Sequence, residues 1–211
     1  MRRGSTLARV VAAERPAVVP LSFAQSRLWF LDQLHGPSPV HNMAVALRLR
    51  GPLDPDAMGT ALGDVVARHE SLRTVFVASE GTPRQVVVPV ERARVGWQVI
   101  DAGGWPVSRL SQAIETEACH RFDLSNEIPL RAKFFRLAED DHVLVAVAHH
   151  IAADGWSLTP LVRDLGAAYV RRSRGQARIG RRCRCNTSTT RYGNAPSSVT
   201  STIRAAPSPR S

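Results

Sequence analysis

Residues 148–157 read AHHIAADGWS, and the residues just before them, Val143, Leu144, Val145, Ala146 and Val147, form an unbroken apolar run. Such a run, entered through the acidic turn Glu139-Asp140-Asp141, reads as a central strand over His142–Ala148, buried on both faces. The strand delivers two adjacent histidines into a turn. Asp154 follows His150 by four residues, Gly155 permits a tight backbone, and a helix from about Ser157 to Arg171 follows, with Leu158, Leu161, Val162, Leu165 and Tyr169 inward. Imidazole is the side chain best suited to hold or move a proton near neutral pH, which makes this loop the candidate chemical site. A carboxylate four residues on can pin the loop or fix a tautomer. On spacing alone, histidines satisfied within the fold are the commoner outcome of such a pair. No third ligand follows at metal-binding spacing, so no metal is expected.

Working outward, Arg131–Leu137 pairs with the buried strand across the acidic turn. Upstream, PLSFAQSRLWFLDQL (20–34) has Ser22 and Gln25 in capping-box spacing, followed by Leu28, Leu31 and Leu34 at helical spacing. His41–Arg50 alternates, with Met43, Val45, Leu47 and Leu49 on one face and Arg48 and Arg50 on the other, which predicts a half-buried strand stopped at Gly51. Asp54-Pro55 opens a second helix with Met58, Leu62, Val65 and Val66 as its buried stripe. Short strands are predicted at Thr74–Val77 and Gln85–Val88, and a weak helix at Ser108–Cys119. The fold class is α/β.

Charge divides the chain. Residues 1–170 hold 18 Lys and Arg against 18 Asp and Glu, so the net +10 comes from the 10 arginines of 171–211, where there is no acid. An Arg-rich tail can neutralise phosphates. Tyr192 is its only aromatic, which leaves little to stack on bases, so no specific nucleic acid is expected. Cys119, Cys183 and Cys185 make no disulfide framework. No run is apolar enough for a membrane span, and Arg9 and Glu14 interrupt what would be a signal core. The expected setting is cytoplasmic, without membrane partners.

Four stretches in order resemble one family. HHIAADGWS (149–157) matches the HHxxxDG signature of nonribosomal peptide synthetase condensation domains. SFAQSRLWFLDQL (22–34), RHESLRTVF (68–76) and FDLSNEIPLR (122–131) are similar to further core stretches of that family. The resemblance implies one lobe of the two-lobed chloramphenicol acetyltransferase-like fold, with the active site in the cleft between lobes. It implies amide bond formation between an acyl thioester donor and an aminoacyl acceptor, both carried on the 4'-phosphopantetheine of peptidyl carrier domains from the same or neighbouring modules. No cofactor is bound directly. His150 is then the catalytic residue, with His149, Asp154 and Gly155 supporting its loop. Asp154 is expected to pair with Arg68 or Arg73. Epimerization domains share the double histidine, and DGWSLTPLVRDL (154–165) is closer to peptide-condensing domains.

The resemblance covers residues 18–176. Residues 1–17 read as a linker, and 177–211, rich in Arg, Ser, Thr and Pro, as a disordered tail unlike the family. Read one frame over with permitted codons, the sequence from Ala177 can spell a stretch resembling the family's continuation, so a frameshifted, truncated lobe is expected. Such a fragment would be inactive alone, or would dock carriers without chemistry.

Overall fold

At the centre of the computed structural model lies the apolar run, as strand β7 (Asp141–His149). The structure describes residues 19–79, 81–176 and, for the backbone, 200–204. The expected linker at 1–17 and most of the expected tail lie outside these residues.

β7 is flanked antiparallel by β6 (Leu130–Ala138) and β2 (Asn42–Arg50). β5 (Gly96–Asp101) runs parallel to β6, and β8 (Thr200–Arg204) runs parallel to β2. The order is β5-β6-β7-β2-β8. A smaller sheet joins β1 (Val19–Pro20), β4 (Thr82–Val87) and β3 (Thr74–Ser79) in that order. Val145, Val147 and Phe134 are wholly buried, as a strand covered on both faces requires.

Helices α1 (Phe23–His35), α2 (Pro55–Arg68), α3 (Val107–Ala118) and α4 (Gly155–Arg172) complete the α/β fold. α2 starts as expected: the Asp54 carboxylate accepts from the Asp56 and Ala57 amides at 2.8 and 3.1 Å, with Pro55 in the first turn, and Met58, Leu62, Val65 and Val66 are buried. Gly59 lets α2 approach β5, because a Cβ there would lie 2.7 Å from the Trp97 indole nitrogen. α4 packs on α2 through the Arg172–Asp64 pair, with two N–H···O bonds of 2.7 Å, and the Asp54 amide donates to the Tyr169 hydroxyl at 3.1 Å.

Two expectations change. β5 is absent from the sequence reading, since GWQVID lacks strict alternation and forms a sheet edge. Leu34, expected on the buried stripe of α1, is 62% exposed; only Gln25 of that helix is buried, while Leu28 and Trp29 are partly covered.

Candidate active site

The loop after β7 is built from backbone hydrogen bonds. The His149 amide donates to the Pro129 carbonyl at 3.1 Å, and the His150 amide to the His41 carbonyl at 2.8 Å. The Ala152 amide returns to the His149 carbonyl at 3.0 Å. These bonds hold the end of β7 between the residues that lead into its two neighbouring strands.

The two imidazoles then part company. His149 is 2% exposed, edge-on to His41 and Phe122 at centroid distances of 6.0 and 6.1 Å. Its Nδ1 accepts from the Ile151 amide at 3.2 Å, so its proton belongs on Nε2. Burial, reinforced by the His41 and His150 imidazoles, pushes its pKa down to about 4. His150 is exposed. Its Nδ1 lies 3.0 Å from the Ala153 carbonyl, and a carbonyl can only accept, so this nitrogen carries the proton. The Nε2 lone pair is left available on an accessible ring. Adjacent residues thus hold opposite tautomers, fixed by two different backbone groups.

Asp154 begins α4. Its Oδ1 accepts from the Ser157 amide at 2.9 Å and from the Ser157 hydroxyl at 2.6 Å, while its own amide donates back to that hydroxyl at 3.3 Å. This reciprocal cap satisfies donors left free in the helix's first turn. Arg68 and Arg73, the arginines expected to pair with Asp154, have other partners as well. Arg68 lies 2.9 Å from Asp164, which also receives His69 at 2.8 Å. Arg73, buried, reaches the Val88 carbonyl at 2.6 Å and Glu70 at 3.2 Å. The cap engages Oδ1 of Asp154, and Arg68 closes on α4 nearly three turns further along. Gly155 is the first residue of α4, has no positive φ, and a Cβ there meets nothing within 4 Å.

The other family-like stretches converge on this loop. Ser22 and Gln25 form the expected capping box, with bonds of 3.3 and 3.0 Å, and the buried Gln25 amide then donates to the Ile151 carbonyl at 3.2 Å. Phe122 packs edge-on to His149, and Pro129 receives the His149 amide. The Phe76 amide donates to the Leu124 carbonyl at 2.8 Å, tying RHESLRTVF to FDLSNEIPLR. Asn42, opposite His149 in the sheet, donates to the Ala118 and His120 carbonyls at 2.8 and 2.7 Å.

His41 was missed by sequence reasoning. Its carbonyl fixes His150, and its pKa is lowered by burial, then by His150 and Arg27, against an opposing effect of Asp32. The spacing from His41 to His149 gives no local signal of their contact. Gln25 was read only as a cap. Among the described residues no group of three His, Cys, Asp or Glu could hold a metal ion. None of their helices is long and apolar enough to cross a membrane.

A family model described as "Condensation domain" matches residues 16–179. The chain belongs to the condensation-domain family. The isonitrile lipopeptide synthase of Mycobacterium tuberculosis is 64% identical over 168 residues, which make up 80% of this chain and 7% of the synthase. The dimodular nonribosomal peptide synthase of Bacillus subtilis is 48% identical over 166 residues, 78% of this chain and 7% of that protein. Among solved structures, the X-domain in complex with OxyB from teicoplanin biosynthesis superposes with a TM-score of 0.76 at 35% identity, covering 87% of this chain and 40% of that one. The first condensation domain of the CDA synthetase shares the fold, with a TM-score of 0.73 over 82% of this chain and 45% of that one. This condensation-family chain thus spans less than half of those domains and a small part of the synthetases.

Proposed function

We propose that the chain supplies the histidine-loop side of an amide-forming cleft in nonribosomal peptide synthesis, with His150 acting on the acceptor amine. The observation that carries this reading is the pose of His150: exposed, with Nδ1–H spent on Ala153, so that Nε2 is the free basic position. The amine nitrogen attacks the carbonyl carbon of the donor thioester; a C–N bond forms and the C–S bond breaks. The proton leaving the nitrogen passes to His150 Nε2 and from there to the departing thiolate of the donor carrier's phosphopantetheine arm. A general base so placed contributes about 10²–10⁴ in rate. His149, neutral and buried, and Asp154, as helix cap, hold the loop. Gly155 leaves open space beside it.

Carrier domains bearing the thioesters are the partners. Both reactants must be held in register, and the chain covers 40% of the teicoplanin X-domain chain it superposes on. The 211-residue chain alone is therefore expected to form no amide. The test is a chimera in which residues 16–176 replace the matching segment of the Bacillus subtilis synthase, supplied with loaded donor and acceptor carriers. Amide formation should occur and fall by about 10²–10⁴ in His150→Ala. Equal rates for parent and variant would exclude His150 as the base.

A second reading is carrier or partner docking without chemistry. It is favoured by the superposition on an X-domain that is in complex with another protein, OxyB. A pull-down of carriers unaffected by His150→Ala, together with a chimera that forms no amide, would support docking instead.

A further inference from the structure

Asn42 and His149 face each other where two strands meet the site. Asn42 is the first residue of β2, His149 the last of β7, and the ladder pairs them directly. Residues so opposed project from the same face of the sheet, with Cβ atoms about 5 Å apart. A side-chain amide has two N–H donors, and both donors of Asn42 leave the sheet. One reaches the Ala118 carbonyl at 2.8 Å and the other the His120 carbonyl at 2.7 Å. Ala118 ends α3, where helix carbonyls lack intrahelical partners, so Asn42 caps that helix from another element. The Asn42 Oδ1 is buried and has no partner among the described residues. Its two donor bonds alone therefore hold the side chain.

The segment that Asn42 grips returns to His149 by a second route. The His120 ring is edge-on to Phe122 at 4.8 Å, and Phe122 is edge-on to His149 at 6.1 Å. His149, Asn42, His120 and Phe122 thus form a closed circuit of strand pairing, side-chain hydrogen bond and ring contacts. Its outer side is anchored. His120 lies 3.0 Å from Glu127 and 3.1 Å from Arg131, and Arg131 pairs with Glu117, a buried residue of the last turn of α3. The loop that carries His150 hangs from the inner side, because the Ile151 amide donates to His149 Nδ1.

We propose that Asn42 is a positioning residue for His150: by joining the end of α3 to the start of β2 it closes a circuit that fixes the His149 imidazole and, through it, the loop that orients His150. The role rests on the reading of His150 as the reactive group, whereas the closure itself has a readout without catalysis.

Hydrogen exchange of the full 211-residue chain tests the closure. Asn42→Asp keeps the side-chain shape and replaces the donors by an oxygen. It should speed exchange of the His150 and Ile151 amides about tenfold and leave α2 unchanged. Phe122→Leu opens the circuit at another point and keeps both Asn42 bonds. It should loosen the same two amides, and the double variant should add little to either change. In the chimera, Asn42→Asp should lower kcat about 10–100-fold with KM within about twofold, because a misplaced group acts on the chemical step. Exchange of His150 and Ile151 unchanged in Asn42→Asp, or fully additive effects of the two variants, would overturn the proposal. If Asn42→Asp speeds exchange throughout the chain, Phe122→Leu decides: local loosening at Ile151 upholds the circuit, and none overturns it. Local loosening with kcat unchanged, in a chimera that loses activity with His150→Ala, would reduce Asn42 to a structural residue. A chimera indifferent to His150→Ala would instead remove the reading of His150, and the positioning role with it.

Discussion

Strand β7 carries a buried histidine near each end, and the two ends are built on different principles. At its start His142 is 1% exposed and stacks on Phe134 at 5.1 Å, beside an Asp141 carboxylate whose pKa Arg48 and Arg50 lower, against an opposing effect of burial. Charge there is closed upon itself. Among the described residues, no ion pair holds the turn at the far end. Backbone carbonyls and one amide orient two imidazoles, and one of them keeps a lone pair accessible. Paired charges can stabilise a sheet end but offer nothing to a substrate, and the buried His142 beside them leaves both ring nitrogens without a hydrogen-bond partner. An end satisfied by neutral backbone groups leaves a side chain in a fixed pose and still reactive.

The contrast is sharpest at His150. In the chimera, His150→Ala should cost about 10²–10⁴ in amide formation, yet urea unfolding of the 211-residue chain should change by no more than about 0.5 kcal/mol, because the ring is exposed. A large stability loss would place His150 with the structural groups instead.

His149 should behave in the opposite way, through pH. The unfolded imidazole titrates near its ordinary value of 6.5 and the folded one at about 4. Above pH 6.5 both states are neutral and stability is flat in this respect. As the pH falls from 6.5 towards 4, the unfolded chain takes up a proton that the folded chain refuses, so stability declines, by about 3 kcal/mol in all. Unfolding curves at several pH values should show that slope, and His149→Gln, which keeps an acceptor for the Ile151 amide, should remove most of it.

A smaller effect separates α1 from the surface. Gln25→Ala leaves the buried Ile151 carbonyl without its donor and breaks the capping box, which should cost about 2 kcal/mol and lower chimera activity by loosening the loop. At the other end of β7, Asp141→Asn should cost about 1 kcal/mol or less, since both arginines are half-exposed, and should not alter activity. Activity lost in Asp141→Asn would erase the distinction between the two ends.

Most of the fold is legible in the sequence because its elements announce themselves locally. The buried run 143–147, the alternation of 42–50, the Asp54-Pro55 cap and the Ser22–Gln25 box each carry a period or a spacing within one turn or strand. β5 escapes because it is an edge strand, where no strict burial pattern is imposed. In the site, the pair His149-His150 stands out in sequence, whereas its supports do not. Gln25 and Ile151 are far apart in the chain, and so are His41 and His149, so only the folded sheet shows that they touch. For Asp154 the local partner, Ser157, lies three residues away, at a capping spacing that the sequence reading passed over.

The central claim is that neighbouring histidines hold opposite tautomers, one structural and one reactive. Long-range ¹⁵N–¹H correlation spectra of the imidazoles in the 211-residue chain test it most directly. The account predicts neutral His150 with the proton on Nδ1, and His149 with the proton on Nε2, staying neutral until the pH nears about 4. A neutral His150 protonated on Nε2, or a His149 already charged at pH 6, would contradict it.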